Sequence, residues 1–130
     1  MKKIRIGIVG YGNIGRGVEL AVSQSDDMQL VAVFTRRDPK GVKIATADAI
    51  VEPIDRAAQY KGDIDVMVLC GGSATDLPEQ GPQLAAQFNT VDSFDTHAKI
   101  PAYFESMDKA ATDTVSIISV GWDPGLFSMQ

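Results

Sequence analysis

The residues best placed for chemistry lie near the start of the chain. Gly10-Tyr11-Gly12-Asn13-Ile14-Gly15 follows the β-branched run Ile4 to Val9 and opens a helical pattern. In such a G-x-G-x-x-G each glycine has a separate task. Gly10 allows a tight turn, Gly12 lets a pyrophosphate approach the backbone, and Gly15 lets the helix pack close to the sheet. The free N–H groups and partial positive charge of the helix N-terminus then attract phosphate. Glycine is common, so the pattern alone is weak; its position between strand and helix gives it meaning. The competing reading is a glycine-rich turn that binds nothing.

A second test lies about 20 residues further on, at the end of the second strand, where NAD-preferring domains place Asp or Glu on the ribose 2′-OH. Here the chain has Thr35-Arg36-Arg37. A carboxylate would repel a 2′-phosphate, whereas two guanidiniums and a hydroxyl bind it through charge-assisted hydrogen bonds. The expectation is NADP rather than NAD, against the alternative of a solvated charged turn.

Further candidates stand at later strand ends. Cys70-Gly71-Gly72-Ser73-Ala74-Thr75 follows the apolar run Val66 to Cys70 and offers backbone and hydroxyl contacts near a ribose and nicotinamide. Cys70 has no nearby His or Lys in sequence to activate it and reads as a small buried residue. Asp92 and Asp95 follow the next strand, and Trp122-Asp123 follows the last. Carboxylates there suit binding an ammonium group or taking a proton in amine chemistry. Turn, cap and core roles remain open for these residues, and His97 reads as a general base or a helix cap.

These residues need a scaffold, and the hydrophobic pattern supplies one. Apolar strands are expected at Ile4 to Val9, Leu30 to Phe34, Ala49 to Val51, Val66 to Cys70, Thr90 to Ser93 and Val115 to Val120. Helical patterns alternate with them. Ile14, Val18, Ala21 and Val22 form one face, Ile54 to Tyr60 a short helix with Ala57 and Ala58 inward, Leu77 to Phe88 another, and Ile100 to Ala111 a strongly amphipathic one. Strands apolar on both faces, alternating with helices, specify an α/β doubly wound parallel sheet, a Rossmann-type dinucleotide-binding domain.

Composition narrows the class. At 130 residues and 13.9 kDa the chain suits one domain, residues 1–130. Twelve Lys+Arg against seventeen Asp+Glu leave a net charge of −5, a poor basis for nucleic-acid binding. One His and one Cys argue against a structural metal site or disulfide. No apolar run approaches the roughly 18 residues of a membrane span, and Arg5 and the early glycines break any signal-peptide core. The expectation is a soluble cytoplasmic protein with no membrane partner.

Five stretches, in order, carry a family resemblance: Ile8 to Arg16, Phe34 to Arg37, Leu69 to Asp76, Val91 to Asp95, and Gly121-Trp122-Asp123-Pro124-Gly125. Together they resemble the meso-diaminopimelate dehydrogenases. The first is generic to nucleotide-binding folds; the third and last are far more specific, and Lys40 to Gly62 contributes little. The resemblance implies NADP-dependent oxidative deamination of meso-2,6-diaminopimelate at its D-centre, giving L-2-amino-6-oxopimelate, in lysine and cell-wall precursor synthesis. It implies that Asp92 and Asp123 contact the reacting amino-acid end and that Trp122 lines the pocket. It also implies a longer, homodimeric enzyme whose substrate and dimerisation domain lies outside these residues, so that this chain alone binds NADP without turning over substrate. The alternatives are a related amino-acid-pathway reductase, such as dihydrodipicolinate reductase or homoserine dehydrogenase, and a non-catalytic nucleotide-sensing module.

Overall fold

A computed structural model describes residues 2–71, 77–92 and 99–118. The chain runs β1 (Ile4–Val9), α1 (Asn13–Ser23), β2 (Met28–Thr35), a 3₁₀ turn (Pro39–Gly41), β3 (Ile50–Pro53), a 3₁₀ helix (Ile54–Tyr60) and β4 (Val66–Leu69). It continues with α2 (Leu77–Ala85), β5 (Asn89–Asp92), α3 (Ile100–Ala110) and β6 (Ser116–Ile117). The strands form one parallel sheet in the order β3-β2-β1-β4-β5-β6. This is the doubly wound dinucleotide-binding order, with its reversal between β1 and β4.

Two apolar clusters account for the continuous hydrophobic strands. Val9, Ala32, Phe34, Met67 and Leu69 join Leu77, Leu84, Tyr103 and Met107 in one. Ile6, Ile8, Leu30 and Val33 join Val22, Tyr11 and Val42 in the other. Strict alternation would separate Leu30 from Val33. The register slips between Ile6 and Gly7, where Ile6 pairs with Leu30 but Gly7 with Ala32. Val31 is the extra residue of a bulge, which returns Val33 to the cluster of Leu30.

The register also assembles the upper edge. Val9 pairs with both Phe34 and Leu69, and Leu69 with Asp92. Asp92 therefore shares a row with Val9, Phe34 and Leu69, and Gly10, Thr35 and Cys70 stand one position further on, all at the carboxyl ends of four strands, where ligands bind in such sheets.

Some expected details change. The inward face of α1 is Gly15, Glu19 and Val22, with Val18 half-buried; Ile14 and Ala21 are exposed. Gly15 sets this orientation, because a Cβ there would lie 2.4 Å from the Gly10 carbonyl oxygen, and only a bare Cα tolerates so close a seat. The segment Ile54–Tyr60 is 3₁₀ rather than α-helical. With three residues per turn, Ile54, Ala57 and Tyr60 share the inward face, and Ala58 is exposed. Tyr60 meets Phe34 edge-on, with ring centroids 5.4 Å apart. α2 ends at Ala85, short of Phe88, which instead turns into β5 through a bond from its N–H to Leu84 O at 2.8 Å. β5 begins at Asn89, one residue early. Only Ser116–Ile117 of the last strand lies within the described residues. Among those residues no helix is long and apolar enough to cross a membrane.

Candidate functional site

The glycine loop is built as its spacing demands. Gly10 adopts φ +88°, and a Cβ on it would press within 3.3 Å of the Cys70–Gly71 peptide. The turn therefore needs glycine both for its left-handed backbone and for the neighbouring strand end. Gly12, the N-cap of α1, differs. Its φ is −101°, and a Cβ on it would meet nothing within 4 Å. Nothing in the described fold requires glycine at this position, and its side-chain direction is open to solvent. The first turn of α1 carries no acidic residue and its cap uses no side chain, which leaves the helix N-terminus suited to an anion.

Tyr11, between these glycines, links the loop to its surroundings. Its ring is buried, with the Arg16 guanidinium 5.8 Å from the ring centroid. Its carbonyl accepts a 2.9 Å hydrogen bond from Arg37 Nη2, and its hydroxyl donates a short bond to Glu19 Oε1. Burial, reinforced by Glu19, pushes the phenol above its usual range. Glu19 Oε2 in turn accepts from Ala45 N at 3.0 Å, Thr46 N at 2.8 Å and Thr46 Oγ1 at 2.7 Å. Burial works to raise the Glu19 pKa, but the hydrogen bonds from Tyr11, Thr46 and Ala45 together outweigh it and hold the carboxyl below its ordinary value.

At the end of β2 the two arginines diverge. The buried Thr35 accepts from Arg37 N at 3.0 Å through Oγ1, which folds the turn and directs Arg37 to the glycine loop. Arg36 lines a cavity of about 340 Å³ between the 3₁₀ helix and α2, shared with Ile54, Ala57, Gln80 and Leu84. The Arg37 guanidinium thus lies beside the loop, whereas Arg36 lines a cleft.

At the end of β4 the Cys70 thiol is buried, and burial pushes it up to about 12, so it stays protonated at neutral pH. Cys70 N–H donates to Val9 O at 2.7 Å and closes the β1–β4 crevice behind Gly10. At the end of β5, Asp92 is only 2% exposed and accepts from Tyr103 Oη of α3 at 2.5 Å. Burial and the adjacent carboxylate raise the Tyr103 phenol far above its usual range. Gly81 admits that hydroxyl, since a Cβ there would sit 2.4 Å from it.

The structure thus brings Gly10, Tyr11, Gly12, Asn13, Ile14, Gly15, Thr35, Arg36, Arg37, Cys70, Gly71 and Asp92 to one edge of the sheet. The expected contacts at Gly72, Ser73, Ala74, Thr75, Trp122 and Asp123, and the alternatives at Asp95 and His97, lie outside the described residues. Glu19 is the residue that sequence reasoning missed. Its spacing held the clue: it lies four residues after Gly15 and three before Val22, on the buried line of α1.

No protein-family model matches the chain. The meso-diaminopimelate D-dehydrogenase of Lysinibacillus sphaericus is 66% identical over 132 residues, covering 100% of this chain and 40% of the relative. A mutant meso-diaminopimelate dehydrogenase from Clostridium tetani, solved with diaminopimelate, aligns at TM-score 0.83 and 60% identity, over 98% of this chain and 39% of that one. An engineered D-amino acid dehydrogenase bound to NADP+ aligns at TM-score 0.85 and 43% identity, over 98% and 39%. The chain spans about 40% of the length of the curated relatives it matches. In sequence and in fold, it corresponds throughout to the N-terminal part of the meso-diaminopimelate D-dehydrogenases.

Proposed function

We propose that residues 1–130 bind NADP and act as the cofactor-binding domain of an enzyme that oxidatively deaminates meso-2,6-diaminopimelate at its D-centre. The observation that carries this reading is the Arg37 guanidinium held on the glycine loop at the end of β2, where an NAD-preferring site would carry a carboxylate. The Gly10 to Gly15 loop and the N-terminus of α1 hold the pyrophosphate over the open space at Gly12. Arg36 and Arg37 hold the 2′-phosphate, and Thr35 shapes the turn that presents them. Cys70 to Thr75 pass the ribose and nicotinamide, with Cys70 serving as packing.

NADP+, when bound, supplies the hydride acceptor. Asp92 and Asp123 hold the substrate ammonium and take its proton, and Trp122 walls the pocket. Loss of hydride from the D-Cα leaves an imine, which water converts to L-2-amino-6-oxopimelate and ammonia. No step calls for an activated nucleophile, in keeping with the protonated Cys70. The same reading makes the full enzyme a cytoplasmic homodimer of lysine biosynthesis that binds neither nucleic acid nor membrane.

Calorimetric titration of the chain with NADP and NAD tests the cofactor assignment; a preference for NAD overturns it. NADP reduction with meso-diaminopimelate by the full-length protein tests the reaction. Absence of turnover there discards the substrate while leaving the cofactor assignment standing.

A further inference from the structure

We infer that Glu19, which is not itself among the expected ligand contacts, is a positioning residue for 2′-phosphate recognition, acting through Tyr11 on Arg37. This rests on the proposed NADP reading. Tyr11 sits between Gly10 and Gly12, two residues whose backbones supply little stiffness of their own. What holds the intervening peptide is the Tyr11 side chain, buried and bonded at its tip to Glu19. The carbonyl of the same residue anchors Arg37. A guanidinium has five N–H donors in a rigid fork, so the one fixed on Tyr11 O sets the direction of the others. Glu19 also gathers Ala45 and Thr46, so one buried carboxylate ties α1, the glycine loop and the β2–β3 connection together.

Four donors converging on one carboxylate exceed what helix–sheet packing requires; an apolar side chain at position 19 would fill the same face of α1. The functional consequence is selective. The glycine loop and helix terminus serve both dinucleotides, whereas only the 2′-phosphate depends on where the Arg37 fork points. Loosening Tyr11 therefore costs NADP more than NAD.

The test is the ratio of NAD to NADP dissociation constants, measured calorimetrically on the full chain carrying Glu19→Ala, Glu19→Gln and Tyr11→Phe. Glu19→Ala and Tyr11→Phe are expected to lower the ratio about tenfold, the worth of roughly one charge-assisted hydrogen bond. Glu19→Gln is expected to preserve most of it, since the amide oxygen can keep the Ala45 and Thr46 donors while the NH₂ donates to the Tyr11 oxygen. In an Arg37→Ala background, Glu19→Ala should change the ratio no further, because both act on one guanidinium.

An unchanged ratio in Glu19→Ala and Tyr11→Phe, or equal weakening of both dinucleotides, overturns the inference and leaves the NADP assignment standing. If Glu19→Ala does not fold, the ratio in Tyr11→Phe, which removes one oxygen, decides alone. A wild-type preference for NAD removes the cofactor reading itself.

Discussion

Replacing Arg37 by alanine should separate the two dinucleotides. The guanidinium spends one N–H donor on Tyr11 O at 2.9 Å, while its own backbone N–H is held by Thr35 Oγ1 at 3.0 Å. The side chain is therefore already ordered, and on the proposed reading its remaining fork donors meet the 2′-phosphate dianion. Charge-assisted hydrogen bonds contribute about 1.5–3 kcal/mol each, and one such bond is the minimum loss. At about 1.4 kcal/mol per decade, NADP affinity should fall roughly 10- to 100-fold. NAD, without the 2′-phosphate, should change by less than about threefold, the effect of loosening one carbonyl contact. Isothermal titration with both dinucleotides, at two salt concentrations, reads this directly. The NADP deficit should shrink at high salt, because part of it is Coulombic. Equal losses for NADP and NAD would refute the assignment of Arg37 to the phosphate and make it a fold-stabilising residue of the glycine loop.

The second and third glycines of the loop should respond oppositely to alanine. Gly15→Ala places a Cβ 2.4 Å from the Gly10 carbonyl oxygen, so thermal denaturation should show a loss of about 1–3 kcal/mol. Gly12→Ala meets open space and should shift stability by no more than about 1 kcal/mol while sharply weakening both dinucleotides in the same titration. Asp65 is held down at about 2 by Arg5, which donates to it from the backbone N and from Nε and Nη2. Its folded pKa lies below the unfolded value, so its contribution is full above about pH 4 and lost as pH falls toward 2. Urea denaturation of wild type and Asp65→Asn should differ at pH 6 and converge near pH 2. The buried Cys70 thiol, pushed up to about 12, should resist iodoacetamide at pH 8 in the native chain and react once urea unfolds it; rapid native alkylation contradicts its burial.

Much of the site was legible in one dimension because its parts are local. A strand, three spaced glycines and a helix lie within about 20 consecutive residues, and each glycine answers to a local steric demand. The arginines after the second strand were legible for a similar reason, since the length of one βαβ unit places that strand end beside the loop. The parallel sheet followed from strands with no polar face. The roles of Asp92, Trp122 and Asp123 rested on resemblance, because a carboxylate or an indole near a strand end is common to many proteins.

What tertiary structure alone decided concerns facing. Periodicity placed Ile14 and Ala21 inward on α1, but the contact of Gly15 with the Gly10 carbonyl turned the helix, exposing both and burying Glu19. A charged residue on a helix reads as solvent-facing until its donors are known, and those donors, Ala45 and Thr46, lie 26 and 27 residues away. Spacing likewise treated Arg36 and Arg37 as one unit, whereas the turn set by Thr35 sends Arg37 to the loop and leaves Arg36 at the cleft. The sequence by itself determined which strands and helices form and which candidate residues stand near strand ends, since those depend on local pattern. The fold alone decided which side chains share a hydrogen bond, since that depends on how packed elements rotate against one another.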